Sequence, residues 1–269
     1  MKVLINGVQI HYQISGSDHA PVVVLSHSLA SSMAMWQPQL EVLESDFQVL
    51  RYDMRGHGQS DASTGPYSLE MLAQDVVGLL DALGIQKAHF LGLSIGGMIG
   101  QSFALNYQDR LQSLVLCSTK SFSPDEAKPV LDERISAAQN NGMDDQVETT
   151  MERWFSPHFL QSGRPELEVI REEIARTSLA GFTGCLEAIK NLNYIESLHK
   201  IEVPTLIIAG EDDPAMPVAE SEAMHERIED SRLVVLPAAR HLANIEQPES
   251  FNRELMNFFS SISGGRTTL

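Results

Sequence analysis

Two short apolar segments open the chain and flank an Asn6-Gly7 pair. The segments cover residues 3–5 and 8–12, and their β-branched and aromatic residues suit strands. An Asn-Gly pair between two such segments favours a two-residue turn with positive φ at both positions, a strong local signal for a β-hairpin. The pattern therefore predicts two antiparallel strands at the N-terminus.

Six further runs are largely apolar instead of alternating between apolar and polar residues. They cover residues 22–25, 49–52, 89–93, 114–117, 205–209 and 233–236. Such runs are typical of strands that are buried on both faces of a parallel sheet. Between two of them, residues 69–83 carry apolar residues at spacings of three and four, and Gly84 follows, which predicts a helix and its end. Strands that alternate with helices predict an α/β sheet with helices on both sides.

The stretch from residue 121 to residue 197 contains no such run, and its residues favour helices. Because it lies between two predicted strands, we expect a helical cap over the edge where open α/β folds bind ligands. A helical insertion without a role at the site is the alternative. This divides the chain into a core of residues 1–120 and 198–269 and a cap of residues 121–197, with a disordered tail predicted from residue 264. The helices of the cap are interrupted at Pro124, Pro129, Pro157 and Pro165.

Length and charge limit the classes of function. The 269 residues are enough to bury roughly three quarters of the surface of the unfolded chain. The chain has 19 Lys and Arg against 36 Asp and Glu, a net charge of −17, so it would repel nucleic acid and anionic membranes.

Cys117 and Cys185 match neither a metal-site spacing nor a disulfide framework. Residues 1–12 lack a signal-like core and no run reaches about 18 apolar residues, so we expect a cytoplasmic protein.

The motif Gly92-Leu93-Ser94-Ile95-Gly96 lies between a predicted strand and a predicted helix. A serine at such a junction forms a nucleophile elbow, a strained turn in which glycine on either side relieves steric crowding. The turn also places the hydroxyl at a helix N-terminus, whose free N–H groups favour a developing oxyanion. Ser94 is therefore the candidate nucleophile.

A serine nucleophile needs a base, and the base needs an orienting carboxylate, which follow an elbow in the order acid, then histidine. The loop after the predicted strand at 205–209 holds Asp212 and Asp213, and Pro214 restricts the backbone of Asp213. We favour Asp213 as the orienting acid, with Asp212, or a helix-capping role for both, as alternatives. Of the nine histidines, His241 alone follows the last predicted strand and is the candidate base.

An oxyanion hole needs two backbone N–H donors. The first is that of Ile95, directly after the serine. For the second, in the loop after the strand at 22–25, we favour Leu29 over Ser28. His27 in the same loop precedes the nucleophile in the chain, so we expect it to brace the loop by hydrogen bonding.

The segment of residues 53–60 is rich in glycine and charge, but it lacks the Gly-Lys-Ser/Thr ending of a phosphate-binding loop. A tight structural turn is the expected role. The chain has no G-x-G-x-x-G motif and no His, Cys, Asp or Glu cluster with metal spacing, so we expect neither a cofactor nor a metal.

Together these motifs resemble the α/β-hydrolase superfamily over almost the whole chain. The resemblance implies a mostly parallel eight-stranded sheet with an N-terminal antiparallel hairpin and a helical cap, and it implies that Ser94, Asp213 and His241 form a catalytic triad. More narrowly, five segments resemble 3-oxoadipate enol-lactonases, which implies hydrolysis of that enol-lactone in aromatic catabolism. These segments are residues 25–29, 35–36, 51–53, 92–101 and 244–248.

Two segments depart from the enol-lactonase pattern. Residues 117–123 read Cys-Ser-Thr-Lys-Ser-Phe-Ser instead of a sequence that begins Asn-Thr-Ala-Ala, so the entrance to the cap differs. Arg240 stands before the candidate base, where the superfamily usually has glycine and these lactonases alanine. Its side chain either stands near the site or points to solvent, and we favour solvent.

An enol-lactonase must bind the free carboxylate of its substrate, so a cation has to face the pocket. The candidates in the predicted cap are Arg134, Arg153, Arg176 and Lys190. Trp154 and Phe155 are candidates for an apolar wall, with helix packing as the alternative role.

The expected ligand is a small-molecule ester or lactone, and we expect a monomer or a homodimer with no nucleic-acid or membrane partner. General carboxylesterases and acyl-homoserine lactonases are alternatives with the same chemistry. A haloperoxidase-like perhydrolase would share the triad in a small dry pocket. A non-catalytic protein that keeps the fold as a ligand sensor is the alternative outside enzymes.

Overall fold

A computed structural model describes residues 1–263, and the predicted disordered tail lies outside them. Its strands are β1 (Lys2–Ile5), β2 (Val8–Gly16), β3 (Val22–Ser26), β4 (Gln48–Tyr52), β5 (Ala88–Leu93), β6 (Leu111–Cys117), β7 (Thr205–Gly210) and β8 (Ser231–Leu236). They form one eight-stranded sheet in the order β1-β2-β4-β3-β5-β6-β7-β8. Only the pairs β1–β2 and β2–β4 are antiparallel among the strands described.

Eleven α-helices accompany the sheet in the described part of the chain. They are α1 (Gln37–Leu43), α2 (Leu69–Ala82), α3 (Ile95–Tyr107), α4 (Lys128–Asn141), α5 (Val147–Trp154), α6 (Pro157–Leu160), α7 (Pro165–Arg176), α8 (Leu179–Lys190), α9 (Val218–His225), α10 (Ala243–Glu246) and α11 (Pro248–Ser263). Helix α1 packs against α11, and α2 packs against α3. Among residues 1–263, no helix is both long enough and apolar enough to span a bilayer.

The local predictions about strands and helices are confirmed with element ends that differ by up to four residues. Asn6 and Gly7 have φ of 48° and 82°, as a two-residue hairpin turn requires. Helix α2 begins after Ser68, whose hydroxyl accepts the N–H of Met71, and ends before Gly84 at φ 70°.

Strand β8 differs from the prediction that each apolar run is buried on both faces. Most of its residues are partly exposed, and Val235 is 38% exposed. The physical reason is its place at the edge of the sheet, where one neighbouring strand is missing. Strands β5 and β7, which have a neighbouring strand on each side, are buried along their whole length.

The region between β6 and β7 holds helices α4 to α8 and no strand within the described residues, as its sequence predicts. Its two ends are joined by a single antiparallel bridge between Phe122 and Asn193. The bridge closes the insertion at its base, beside the carboxyl end of β6. That the insertion works as a cap stays a prediction.

The loop of residues 53–60 is a structural turn organised by one carboxylate. Asp53 accepts the N–H groups of Met33 and Gln59 at 2.9 Å each and contacts His11 Nδ1 at 2.8 Å. A Cβ at Gly58 would lie 2.3 Å from the carboxylate carbon of Asp53. This glycine is therefore explained by close packing, which agrees with the prediction of a tight turn.

Candidate active site

Ser94 occupies a strained turn between β5 and α3. Its φ and ψ are 58° and −119°, a combination that L-residues rarely adopt. A Cβ at Gly92 would lie 2.2 Å from the carbonyl oxygen of Gly96, and a Cβ at Gly96 would lie 2.2 Å from that of Ser26. Glycine is thus required at both positions for the strand to turn into the helix at this angle.

The segment that follows β6 braces this turn. Ser94 N–H donates to the carbonyl of Cys117 at 2.9 Å, and the Thr119 hydroxyl donates to the carbonyl of Ser94 at 2.7 Å. Both main-chain groups of the serine are therefore satisfied by one neighbouring loop. These bonds and the packing hold the strained backbone in place.

His241 and Asp213 meet at the carboxyl ends of β8 and β7. His241 Nδ1 lies 2.7 Å from Asp213 Oδ2, and both side chains are almost fully buried. The other carboxylate oxygen, Oδ1, accepts the N–H groups of Ala215 and Met216 at 2.8 and 3.0 Å. Because the carboxylate fixes Nδ1, the second ring nitrogen of His241 is the one available to a reacting group. Asp212, the alternative acid, is exposed.

One cavity of about 370 Å³ is lined by both Ser94 and His241. Trp154, Met216 and Ile189 form part of its apolar surface. The structure therefore brings the three predicted triad residues to one place. The cavity lies between this edge of the sheet and helices α4, α5 and α8.

The two predicted oxyanion donors come from the residue after Ser94 and from the loop after β3. Ile95 is the first residue of α3, and Leu29 lines the cavity. Among residues 1–263, neither N–H donates to a protein acceptor, whereas Ser28 N–H donates to Met35 Sδ at 3.3 Å. This difference favours Leu29 over Ser28 as the second donor.

His27 is enclosed in the same loop and has no exposed surface. Its Nε2 accepts Met54 N–H at 2.9 Å, so its Nδ1–H donates to the carbonyl of Ser28 at 2.7 Å. Burial lowers the pKa of His27. The predicted bracing role is confirmed, because both ring nitrogens serve to hold the loop that carries Leu29.

Three cations line the cavity: Lys120, Arg134 and Arg153. In the part of the chain that the structure describes, none of them forms a salt bridge, and no Asp or Glu lines the cavity. Burial and then the charge of Arg153 lower the pKa of Arg134 to about 9, and burial lowers the pKa of Arg153. The cavity is thus a positive site in a strongly acidic molecule.

Lys190 and Arg176 lie elsewhere, which corrects their proposed place at the pocket. The Lys190 ammonium contacts Asp132 at 2.6 Å and Glu187 at 2.9 Å and lines a separate surface depression. Arg176 pairs with Glu172 at 3.0 Å. Both side chains have carboxylates within reach, a detail that the sequence pattern did not resolve.

Trp154 lines the cavity, but Phe155 does not. Phe155 is fully buried and stacks on Phe159, with ring centroids 5.0 Å apart. Of the two aromatic candidates, only Trp154 can contact a ligand there, and Phe155 has the packing role given as the alternative.

Sequence reasoning missed Lys120 as a cavity residue. The signal was present, because Lys120 lies three residues beyond the end of β6, and the carboxyl ends of these parallel strands meet at the edge where Ser94 and His241 lie.

Arg240 points neither into the cavity nor simply to solvent. Its Nη1 donates to the carbonyls of Glu152 at 2.8 Å and Phe155 at 3.3 Å, at the end of α5. On the other side of His241, Leu242 N–H donates to the carbonyl of Trp154 at 3.2 Å. The loop of the candidate base is therefore fastened to helix α5 by both neighbours of the histidine.

Comparison with known proteins gives a consistent picture. A family model described as alpha/beta hydrolase fold matches residues 21–248. 3-Oxoadipate enol-lactonase 1 of Acinetobacter baylyi is 36% identical over 95% of each chain. The crystal structure of the enol-lactonase from Burkholderia xenovorans LB400 has a TM-score of 0.93 at 36% identity, covering 97% of this chain and all of the other. A protein of Pseudomonas savastanoi that is named for carbamate hydrolysis is 32% identical over 90% of this chain and 95% of its own.

Proposed function

The chain belongs to the alpha/beta hydrolase fold family, and we propose that it is a serine hydrolase that cleaves a carboxylic ester or lactone. The observation that carries the proposal is the meeting, in one cavity, of a serine on a strained elbow and a histidine bonded to a buried carboxylate. No cofactor is needed for this chemistry.

In the first half of the proposed reaction, Ser94 Oγ attacks the carbonyl carbon while His241 takes the hydroxyl proton. Asp213 holds the imidazole in the tautomer that leaves the second nitrogen free to accept this proton. The negative charge that develops on the carbonyl oxygen is stabilised by the N–H groups of Ile95 and Leu29. When the intermediate collapses, the alcohol or enol leaves with the proton from His241.

In the second half, water attacks the acyl group on Ser94, and His241 takes a proton from the water. The intermediate then collapses to the free acid, and the proton returns to Ser94. A lactone differs from an open ester only in that the leaving group stays attached to the acyl chain.

Among substrates, we favour an ester or lactone with a free carboxylate, and 3-oxoadipate enol-lactone is the first to test. Two observations support this choice. The cavity is lined by three cations and, among the described residues, by no carboxylate, and the relatives named as enol-lactonases align over nearly the whole chain.

A turnover panel tests the proposal. It compares 3-oxoadipate enol-lactone, an acyl-homoserine lactone, a short neutral ester and a carbamate, each with the wild-type protein and with Ser94→Ala. We expect hydrolysis of the enol-lactone or an anionic ester, and a loss of at least about 1,000-fold in kcat for the variant.

The same panel separates the alternatives. Peracid formation from acetate and peroxide would favour the perhydrolase, and preferred carbamate turnover would favour the activity for which one relative is named. Turnover that survives in Ser94→Ala would contradict the mechanism. Absence of any turnover together with tight ligand binding would favour a ligand sensor.

A further inference from the structure

Lys120 forms a positive centre separate from the two arginines. It lies on the core side of the cavity, three residues beyond the end of β6, whereas Arg134 and Arg153 project from α4 and α5. The three cations thus come from two sides of one cavity, the loop after β6 and the helices α4 and α5. Burial lowers the pKa of Lys120, and the charge of Glu220 on α9 acts in the opposite direction.

The main chain around Lys120 is fixed next to the nucleophile. Its carbonyl accepts Gln101 Nε2–H at 3.0 Å, and the preceding residue, Thr119, donates its hydroxyl to the carbonyl of Ser94. The side chain that carries the ammonium group is therefore attached to a backbone that hydrogen bonds hold next to the nucleophile elbow. A charge anchored in this way can be matched to a fixed position on a substrate.

Lys120 has no salt-bridge partner within the described residues. Glu220 attracts it from α9, but does not line the cavity. Partial burial of a cation without a close carboxylate costs free energy. An anionic ligand that accepts hydrogen bonds from the free donors of Lys120 would offset this cost.

One carboxylate on the substrate would be held by Arg134 and Arg153, and this would leave Lys120 free. We propose that the natural substrate carries two anionic groups, and that Lys120 binds the one that the arginines do not. The inference rests on the proposed function, because it assigns the substrate class of that same cavity. On this proposal the enol-lactone, with its single carboxylate, is an accepted substrate, and an ester or lactone with two anionic groups is the preferred one.

Three methyl esters with increasing charge test the proposal: methyl butyrate, monomethyl glutarate and the 1-methyl ester of tricarballylate, which keeps two free carboxylates. Initial rates are measured in a pH-stat for the wild type, Lys120→Gln and Lys190→Gln. Lys190→Gln is the matched control, because it removes an equal charge from a lysine that does not line the cavity. Thermal melting checks that each variant is folded.

We expect the wild type to prefer the doubly charged ester, and Lys120→Gln to lower kcat/KM for that ester by about 30-fold. For the other two esters the loss should stay below about threefold, and Lys190→Gln should change none of them by more than about twofold. An equal loss for all three esters would overturn the proposal, because Lys120 would then act on the reacting carbonyl. No loss for any ester would overturn it as well.

Binding provides a second readout that does not depend on turnover. Tricarballylate and butyrate are titrated calorimetrically into Ser94→Ala protein and into the double variant Ser94→Ala, Lys120→Gln. The Kd for tricarballylate should be about 30-fold higher in the double variant, and the Kd for butyrate should change little. Equal affinities in the two proteins would contradict the second anion site. If the wild type hydrolyses none of the esters while this binding difference persists, the proposed function fails and the anion site stands.

Discussion

Asp212 and Asp213 are adjacent in the chain but have different surroundings. Asp213 is buried, contacts His241 and accepts two backbone N–H groups, whereas Asp212 is exposed. Pro214 is the reason that the sequence could separate them, because proline restricts the residue before it. No comparable signal separates Lys190 from Arg134, since helical spacing does not say which carboxylates lie within reach of a long side chain.

Asp212 and Asp213 offer a matched test of the orienting carboxylate. Asp213→Asn keeps the size of the side chain but removes its charge, so the imidazole is no longer held in the reactive tautomer. We expect kcat to fall by roughly 1,000-fold or more. Asp212→Asn should leave kcat within about twofold of the wild type. Similar small effects for both variants would show that Asp213 only shapes the loop.

At the scale of elements, helix α5 connects the cavity wall to the loop of the candidate base. It carries Arg153 and Trp154 into the cavity, and its last turn accepts hydrogen bonds from Arg240 and Leu242. The sequence predicts helices in this region, but it cannot predict where their ends dock, because docking depends on contacts between residues 85 or more positions apart.

Arg240→Ala removes the side-chain part of this connection. We expect kcat to fall about fivefold with a smaller change in KM, because the histidine loop becomes less well held while the cavity cations stay in place. Arg240→Lys should recover part of the loss, since an ammonium group can still donate to a carbonyl. Arg232→Ala removes an exposed arginine paired with Glu254 at 2.7 Å and is the control. A kcat unchanged in Arg240→Ala would refute the coupling.

Helix α7 contacts the core through a carboxyl group, because the Ser32 hydroxyl donates to Glu173 Oε1 at 2.5 Å. Burial raises the pKa of Glu173, although the bond from Ser32 acts in the opposite direction. A carboxyl whose pKa is raised in the folded state contributes stability below its unfolded pKa, near 4.5, and loses that contribution as the pH rises through the folded pKa.

Glu173→Gln should therefore raise the free energy of unfolding at neutral pH by about 1 kcal/mol. The gain should shrink below pH 4.5, where the wild-type carboxyl is protonated. Urea denaturation at the two pH values measures the difference. Glu172→Gln, at the exposed neighbouring position that pairs with Arg176, is the control. A gain that is equal at both pH values would contradict this pH dependence.

At the scale of the whole molecule, the chain concentrates positive charge in one cavity while its net charge is −17. The fold could be predicted because strand runs and motifs follow one another in a fixed order, and that order places Ser94, Asp213 and His241 at one sheet edge. The cavity wall could be predicted only in part, because its cations come from three elements whose relative placement the pattern leaves open.

The central claim is that Ser94 is the nucleophile, and covalent labelling tests it most directly. The wild-type protein is treated with a fluorophosphonate, and the modified residue is located by mass spectrometry. We expect one adduct on Ser94, loss of ester hydrolysis in proportion to labelling, and no adduct in Ser94→Ala protein. An adduct on another residue, or undiminished hydrolysis after complete labelling of Ser94, would contradict the account.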